Sequence, residues 1–447
     1  MSSWSPQLAV LALFLALLFL TGGSSRADVS KLIVLRPLAV LAAGYGLATI
    51  RKEDFATYRP IWLLFGAVVL LTVAHLVPLP PGVWQSLPGR EILVEIDTLA
   101  GLEGIWRPLS MHPEGTWNAL YALSVPFAAL LLASQLGEED RMRLLAVVIV
   151  LCMLSGFVGV IQAGGTDIRF YRFAGDASGF FANRNHQAAM LACLFPMLAA
   201  IALSAGRFKI DPRATRLIAA AGMIALVPLI LVTGSRMGLI VGAISFMSLA
   251  FMFFSGAKRS DAFAIGRLIQ GAVALLIAAG MVAGTVFMAR DKAFDRVDGL
   301  ANEPRIPAWE SIVDFLPSYL PWGSGIGSFV PVYQIHEESR LLMEQYFNQA
   351  HNDWLDLVLT AGLPGVILAL VAAVMFVVAA KAALGARSAA GHLRRAGVIV
   401  ILLLAFASVT DYPLRTPILS ALLAIAAIWA WSPFSQSQVK ESNQRDA

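Results

Sequence analysis

The chain has 447 residues, 58% of them hydrophobic and 14% charged, with a mean hydropathy of +0.73 and a formal net charge of +4. A soluble domain carries about 25% charged residues, so this chain has too little charge to cover a water-facing surface, and its small, dispersed positive balance excludes a nucleic-acid partner. Hydrocarbon is then the expected solvent, which admits only helices or closed barrels; the apolar runs here are continuous, not alternating, and that excludes a barrel.

A membrane span needs roughly 20 mostly apolar residues. Taken in chain order, the runs near that length are 7–24, 32–50, 61–80, 117–135, 143–163, 186–205, 216–233, 237–255, 266–288, 364–381, 396–411 and 414–431. The first resembles the apolar core of a signal peptide. It has no positive flank, since the first charge is Arg26, and no small-residue cleavage site, so it reads as a span. Cys152 and Cys193 each fall inside a run and read as small core hydrophobes, neither a disulfide pair nor a metal cluster. The expected fold is an all-α, polytopic bundle of about twelve transmembrane helices.

Positive charge marks the cytoplasmic side. With the N-terminus inside, eighteen of the 33 Lys and Arg fall in the short segments 51–60, 136–143, 206–216, 256–267 and 381–395 and in the tail. The expected organisation is therefore helices 1–9 over 1–288, a large outer loop over 289–353, helices 10–12 over 354–431 and a disordered cytoplasmic tail over 432–447, functionally one membrane domain with both termini inside. Two further loops, 81–116 and 164–185, fall outside. The long loop is too aromatic for disorder, with Trp309, Phe315, Tyr319, Trp322, Phe329 and Tyr346. It should form amphipathic helices on the outer leaflet, with Trp and Tyr at headgroup level.

Charge near a span is costly and therefore informative. In Gly179-Phe-Phe-Ala-Asn183-Arg184-Asn185-His186, Asn183 and Asn185 suit the cap of the sixth span. Arg184 at that positive helix end makes either an anion site or an interfacial arginine beside a plain cap. In Thr233-Gly-Ser-Arg236-Met-Gly238, an arginine sits in a three-residue turn between two spans. It either snorkels to lipid phosphate or forks two hydrogen bonds onto a pyrophosphate. In the long loop, Arg305-Ile-Pro-Ala-Trp309 opens an amphipathic helix and Trp322-Gly323-Ser-Gly325-Ile-Gly327-Ser-Phe329 reads as a flexible turn. There, Asn348-Gln-Ala-His351-Asn352-Asp353-Trp354-Leu355 enters the helix before the tenth span. His351 can be a general base, a donor or an interfacial histidine.

Elsewhere, Asp411 and Arg415 frame a short outer turn and are expected to pair with each other. Asp291, Asp295 and Asp298 lack metal-ligand spacing. Packing or snorkelling accounts for Arg36 and His75, and His112, His336 and His392 lie in loops without evident partners.

These motifs, in this order, resemble the O-antigen ligase and O-antigen polymerase superfamily of bacterial inner-membrane glycosyltransferases. The matching elements are Phe181-Ala-Asn183-Arg184-Asn185, Gly234-Ser-Arg236-Met-Gly238, Arg305 to Trp309, Gly323 to Gly327, and His351-Asn352-Asp353-Trp354-Leu355. The resemblance covers roughly residues 115 to 420. It implies a fold of the glycosyltransferase C kind and transfer of a glycan from undecaprenyl pyrophosphate at the periplasmic face, without a metal or other cofactor. The acceptor would be lipid A core, another glycan or a protein. Arg236 and Arg305 would hold the pyrophosphate, and His351 would orient or deprotonate the acceptor hydroxyl. Arg184, Asn183, Asn185 and Asn352 would shape the substrate site. The alternatives are an O-antigen or exopolysaccharide polymerase of the same superfamily, and a lipid-linked glycan transporter or flippase. A transporter predicts charges paired at the midplane, whereas the charges here gather at one face.

Overall fold

A computed structural model describes residues 4–172, 177–208, 210–254, 305–342, 347–384 and 388–432. Among them the chain is helical almost throughout. Eight helices are long and apolar enough to cross a membrane, and three shorter apolar helices join them. The expected ninth span, the Asp291 to Asp298 cluster, Tyr346 and nearly all of the tail lie outside the described residues.

The first helix, α1 (Pro6–Thr21), begins where Ser5 accepts a hydrogen bond from the Leu8 amide and Pro6 occupies the first turn. Leu8, Leu11, Leu15 and Leu18 recur at helical spacing and are buried. That stripe packs on α2 (Leu32–Thr49). Helix α3 (Lys52–Thr57) leads into α4 (Arg59–Ala74), which stops six residues before the expected end of its span. The chain then forms a two-residue antiparallel ladder, β1 (Pro78–Leu79) with β2 (Arg107–Pro108), around α5 (Pro81–Trp84) and α6 (Glu91–Leu99).

Helices α7 (Pro113–Ala122) and α8 (Ser124–Ser134) make one span, followed by α9 (Glu138–Ala163). Helices α10 (Arg184–Ala192) and α11 (Leu194–Leu203) make the next, and it is the bundle's centre, with 83% of its apolar window buried. Around it stand α12 (Pro212–Val232), α13 (Arg236–Phe254) and α17 (Ala389–Ala407), the last packed on α18 (Pro417–Trp431). Cys152 and Cys193 are free and buried, as expected of small core residues.

By contrast α16 (Asp353–Leu384) buries only 11% of its window. Ile367, Leu370 and Val374 on α16, and Ile33, Val40 and Leu41 on α2, are more than half exposed. In water, apolar faces of this extent would aggregate; a bilayer solvates them. The chain is an all-α polytopic membrane protein.

The segment after residue 304 corrects two expectations. Helices α14 (Arg305–Phe315) and α15 (Phe329–His336) do form, but Phe315, Tyr319 and Phe329 point inward. With Tyr333, Phe347 and Leu359 they build a second small core, so Tyr319 is not at headgroup level, while Trp322 stays exposed. The run from Gly323 to Gly327 is no flexible turn. Gly323 has φ +80° and Gly362, inside α16, has φ +59°; a Cβ on either would strike the other's backbone within 2.7 Å. Only glycine accepts both conditions. Gly362 breaks α16, and Pro321 and Thr360 carbonyls then accept from the Leu363 and Gly325 amides.

The histidines outside the motifs have partners as well, both His75, expected within a span, and those expected in loops. His75, just past α4, accepts from the Ile326 amide at 3.0 Å. His112 Nδ1 lies 3.3 Å from the Gly327 carbonyl, and His336 lies 2.8 Å from the Tyr319 hydroxyl. The buried Arg90 donates to the Leu109 and Gly323 carbonyls. The 75–116 segment is therefore a clamp on the glycine turn. His392 and the buried Arg394 and Arg395 fall inside α17, which starts seven residues earlier than the expected span.

Candidate active site

The N-termini of α10, α14 and α16 meet the α17–α18 turn at one end of the bundle, and that of α13 is tied to α10 through Ser235 and Asn185. Each such terminus presents unpaired N–H groups and a partial positive charge. The turn carries Asp411, which is 2% exposed.

Asp411 organises everything near it. Its Oδ2 accepts from Asn185 Nδ2 at 2.7 Å and Asn183 Nδ2 at 3.2 Å. Its Oδ1 accepts from the Tyr412 amide at 3.0 Å, and faces His351 Nδ1 at 3.4 Å and His186 Nε2 at 3.7 Å. The His351 contact is close enough for charge pairing but off the hydrogen-bond line. Burial would raise the Asp411 carboxyl, but the two facing imidazoles hold it well below the usual carboxylate range. It is an anion at neutral pH.

The expected Asp411–Arg415 pair does not form. Arg415 instead bridges Asp353, at 3.2 Å, and Asp356, at 2.6 Å, on the first turn of α16. A buried acid needs a cation close by, and here the acids that compete for Arg415 come from another helix. Asp411 is left to the imidazoles and amides.

His351 has a left-handed backbone, φ +51°, which is uncommon for a residue with a Cβ. Such strain persists where surrounding structure fixes it and clusters at functional sites. Trp309 on α14 helps hold it, donating to the Ala350 carbonyl at 2.7 Å, and the His351 ring meets Tyr412 edge-on at 4.7 Å. With Nδ1 toward Asp411, Nε2 is the nitrogen left to meet a substrate.

The sequence-identified residues separate into two roles. Asn183 caps α10 by accepting from the Asn185 amide. Asn185 is no cap: it spans from Asp411 to Ser235, whose hydroxyl donates to Asn185 Oδ1 at 2.7 Å. That bond ties the Thr233–Gly238 turn to α10, and Gly238 lets the two helices touch. Asn352 accepts from the Trp354 and Leu355 amides and so caps α16.

The arginines form the second group. Arg305 donates to the Thr410 carbonyl at 3.2 Å, one residue from Asp411. Arg184 and Arg236 are exposed, and the Arg184 guanidinium lies over Gly234. Neither has an acidic partner among the described residues. Three cations at a cluster of helix N-termini make a strongly anion-attracting surface. Among the described residues, no three of His, Cys, Asp and Glu are grouped to hold a metal ion.

Two participants escaped the sequence reading, Asp411 in its true role and His186. His186 is buried, with Nδ1 2.8 Å from the Thr416 hydroxyl. Its place directly after Asn183-Arg184-Asn185 was the available signal.

Comparison with known families agrees with the motifs. Residues 221–370 match the family model described as O-antigen ligase, which supports membership of the O-antigen ligase and polymerase superfamily. The matched segment contains Arg236, Arg305, His351 and Asn352; the fold adds Asn183, Asn185, His186 and Asp411 from outside it. No match was found among curated proteins.

Proposed function

We propose that the chain moves a glycan from a polyprenyl pyrophosphate, undecaprenyl pyrophosphate in a bacterial inner membrane, to an acceptor hydroxyl at the periplasmic face. The observation that carries this reading is the His351–Asp411 pair beside three arginines at one end of the bundle. Superfamily membership and the apolar helices support the membrane setting. Lipopolysaccharide biosynthesis is the corresponding process, with ligation to lipid A core the first reading and polymerisation of repeat units the second.

In this mechanism the acceptor hydroxyl loses its proton to His351 Nε2 as its oxygen bonds to the sugar's anomeric carbon. The bond from that carbon to the pyrophosphate oxygen breaks on the opposite side, which inverts the centre. Asp411 holds the imidazole in the tautomer with Nδ1–H toward the carboxylate and stabilises the imidazolium that forms. Base assistance of this kind contributes typically 10²–10⁴-fold.

The leaving pyrophosphate gains negative charge, and Arg236, Arg305 and Arg184 are the groups placed to receive it. Such donors contribute up to about 3–4 kcal/mol each once bound lipid excludes water from the site. The charge is neutralised without a metal ion in this reading. The site lies at one end of the bundle, not at its midplane, which favours transfer over transport.

The test is direct: purified chain in detergent, glycan-loaded polyprenyl pyrophosphate and candidate acceptors. Lipid-A-linked or polymeric product supports the transferase. Absence of any product with lipid A core, glycan and protein acceptors would remove it.

A further inference from the structure

A second cationic cleft lies on the other side of Arg415. It opens among the start of α2, α7, the segment after α1 and the start of α18, a small cleft with a cavity volume of about 30 Å³. Arg26, Arg36, Asn118, Tyr121 and Arg415 line it.

The charges in the cleft are unequally satisfied. Arg26 is held by both oxygens of Asp28, at 2.9 and 2.7 Å. Arg415 is shared by Asp353 and Asp356. Arg36 is the single charge in the 18 residues of α2 and has no acid partner among the described residues. Its Nη2 donates to Asn118 Oδ1, its guanidinium stands 5.5 Å from the Tyr121 ring centroid, and its Nε is buried with no hydrogen-bond partner.

An arginine near the start of an apolar helix is costly to keep beside hydrocarbon, and a buried donor without an acceptor adds its own desolvation penalty. Asn118 and Tyr121 orient the guanidinium without neutralising it. The missing element is an anionic acceptor. Because Leu32 and Leu35 line the same cleft and Ile33, Val34 and Val40 beside them are exposed, an anion carried on a lipid fits better than a soluble one.

We propose that this cleft binds the phosphate of a membrane lipid, held by the Arg36 guanidinium and distinct from the His351 site. Two lipids share that chemistry, a polyprenyl phosphate and a phosphorylated acceptor lipid. Only the choice between them rests on the transferase reading. Arg415 joins the two regions, since it lines the cleft and pairs with Asp353, two residues from His351.

The experiment is lipid retention by the full chain in neutral detergent, read by native mass spectrometry. The probes are polyprenyl phosphate, bisphosphorylated lipid A and, as uncharged control, diacylglycerol. Each is measured also in the Arg236→Ala background, so that binding at the proposed donor site is subtracted. We expect at least one phosphate lipid to bind, with affinity at least tenfold weaker in Arg36→Gln and intermediate in Arg36→Lys. Retention of polyprenyl phosphate alone assigns the cleft to the donor side, and of lipid A alone to the acceptor side. Binding of neither, or equal binding by the wild type and Arg36→Gln, overturns the proposal. If Arg36→Gln does not fold, Arg36→Lys decides: undiminished binding without the guanidinium fork contradicts it. Transfer assayed on the same preparations separates the two claims. Arg36-dependent binding without transfer leaves the cleft standing and removes the transferase, and the reverse result does the opposite.

Discussion

His351 Nδ1 stands 3.4 Å from Asp411 Oδ1, the histidine just before α16 and the aspartate just after α17. The carboxylate is anchored by two asparagines from a third helix, so it cannot swing toward a solvent cation. An imidazole facing a fixed buried anion is oriented by it, with Nδ1 toward the carboxylate and Nε2 turned away.

Asp411→Asn keeps the shape of that side chain and removes its charge. Transfer should fall by about 10²–10⁴-fold, the range expected of a lost base. The double variant with His351→Ala should be little worse than His351→Ala alone, because the two act as a unit. Initial rates of product formation by the three variants test this; additive losses would separate the residues.

Arg236 is exposed and has no described partner, so its removal leaves nothing unpaired inside the fold. Arg236→Ala should lower transfer by about 10²–10³-fold, the effect of losing one preorganised donor, while shifting the melting temperature little. Paired rate and thermal-unfolding measurements check it.

Gly238 behaves differently. A Cβ there would sit 2.1 Å from the Ala188 Cβ, so α10 and α13 would have to part. Gly238→Ala should destabilise the detergent-solubilised protein by about 1–3 kcal/mol and also weaken transfer, because the Ser235–Asn185 bond crosses the same contact. Thermal unfolding followed by size-exclusion recovery measures the first effect.

His75 supplies a pH signature. It lies past the end of α4, and burial, reinforced by the Arg90 charge, lowers its pKa from 6.5 to about 4. The unfolded chain therefore binds the proton more readily between those values, and stability rises with pH across that window. The contribution is complete above about pH 6.5 and is lost as the pH falls to 4, up to about 3 kcal/mol. His75→Asn retains an acceptor for the Ile326 amide and cannot be protonated. Its melting temperature should drop less than the wild type's between pH 6.5 and 4.5.

Spans were legible because hydrocarbon imposes a length and a composition, and each expected run within the described residues lies on an apolar helix. Ends were less legible: α4 stops at Ala74 and α17 begins at Ala389, since buried side chains such as Arg395 find carbonyls at 3.1 and 3.2 Å that no hydropathy sum foresees. Asn183, Arg184, Arg236, Arg305 and His351 stood out because polar residues beside spans are rare. Asp411 is the exception. Its nearest cation in sequence is Arg415, but pairing across as many as 228 residues of chain is settled by packing, and Asp353 and Asp356 claim that arginine. The glycine turn misled for the same reason: glycine signals either freedom or close approach, and here Gly362 decides for approach.

The central claim is that His351 takes the acceptor's proton. The measurement that tests it is single-turnover transfer by His351→Gln, with donor lipid saturating and its retention checked independently. Donor binding should be unchanged while the rate of glycan transfer falls at least about 100-fold. Transfer at the wild-type rate by that variant would contradict the account.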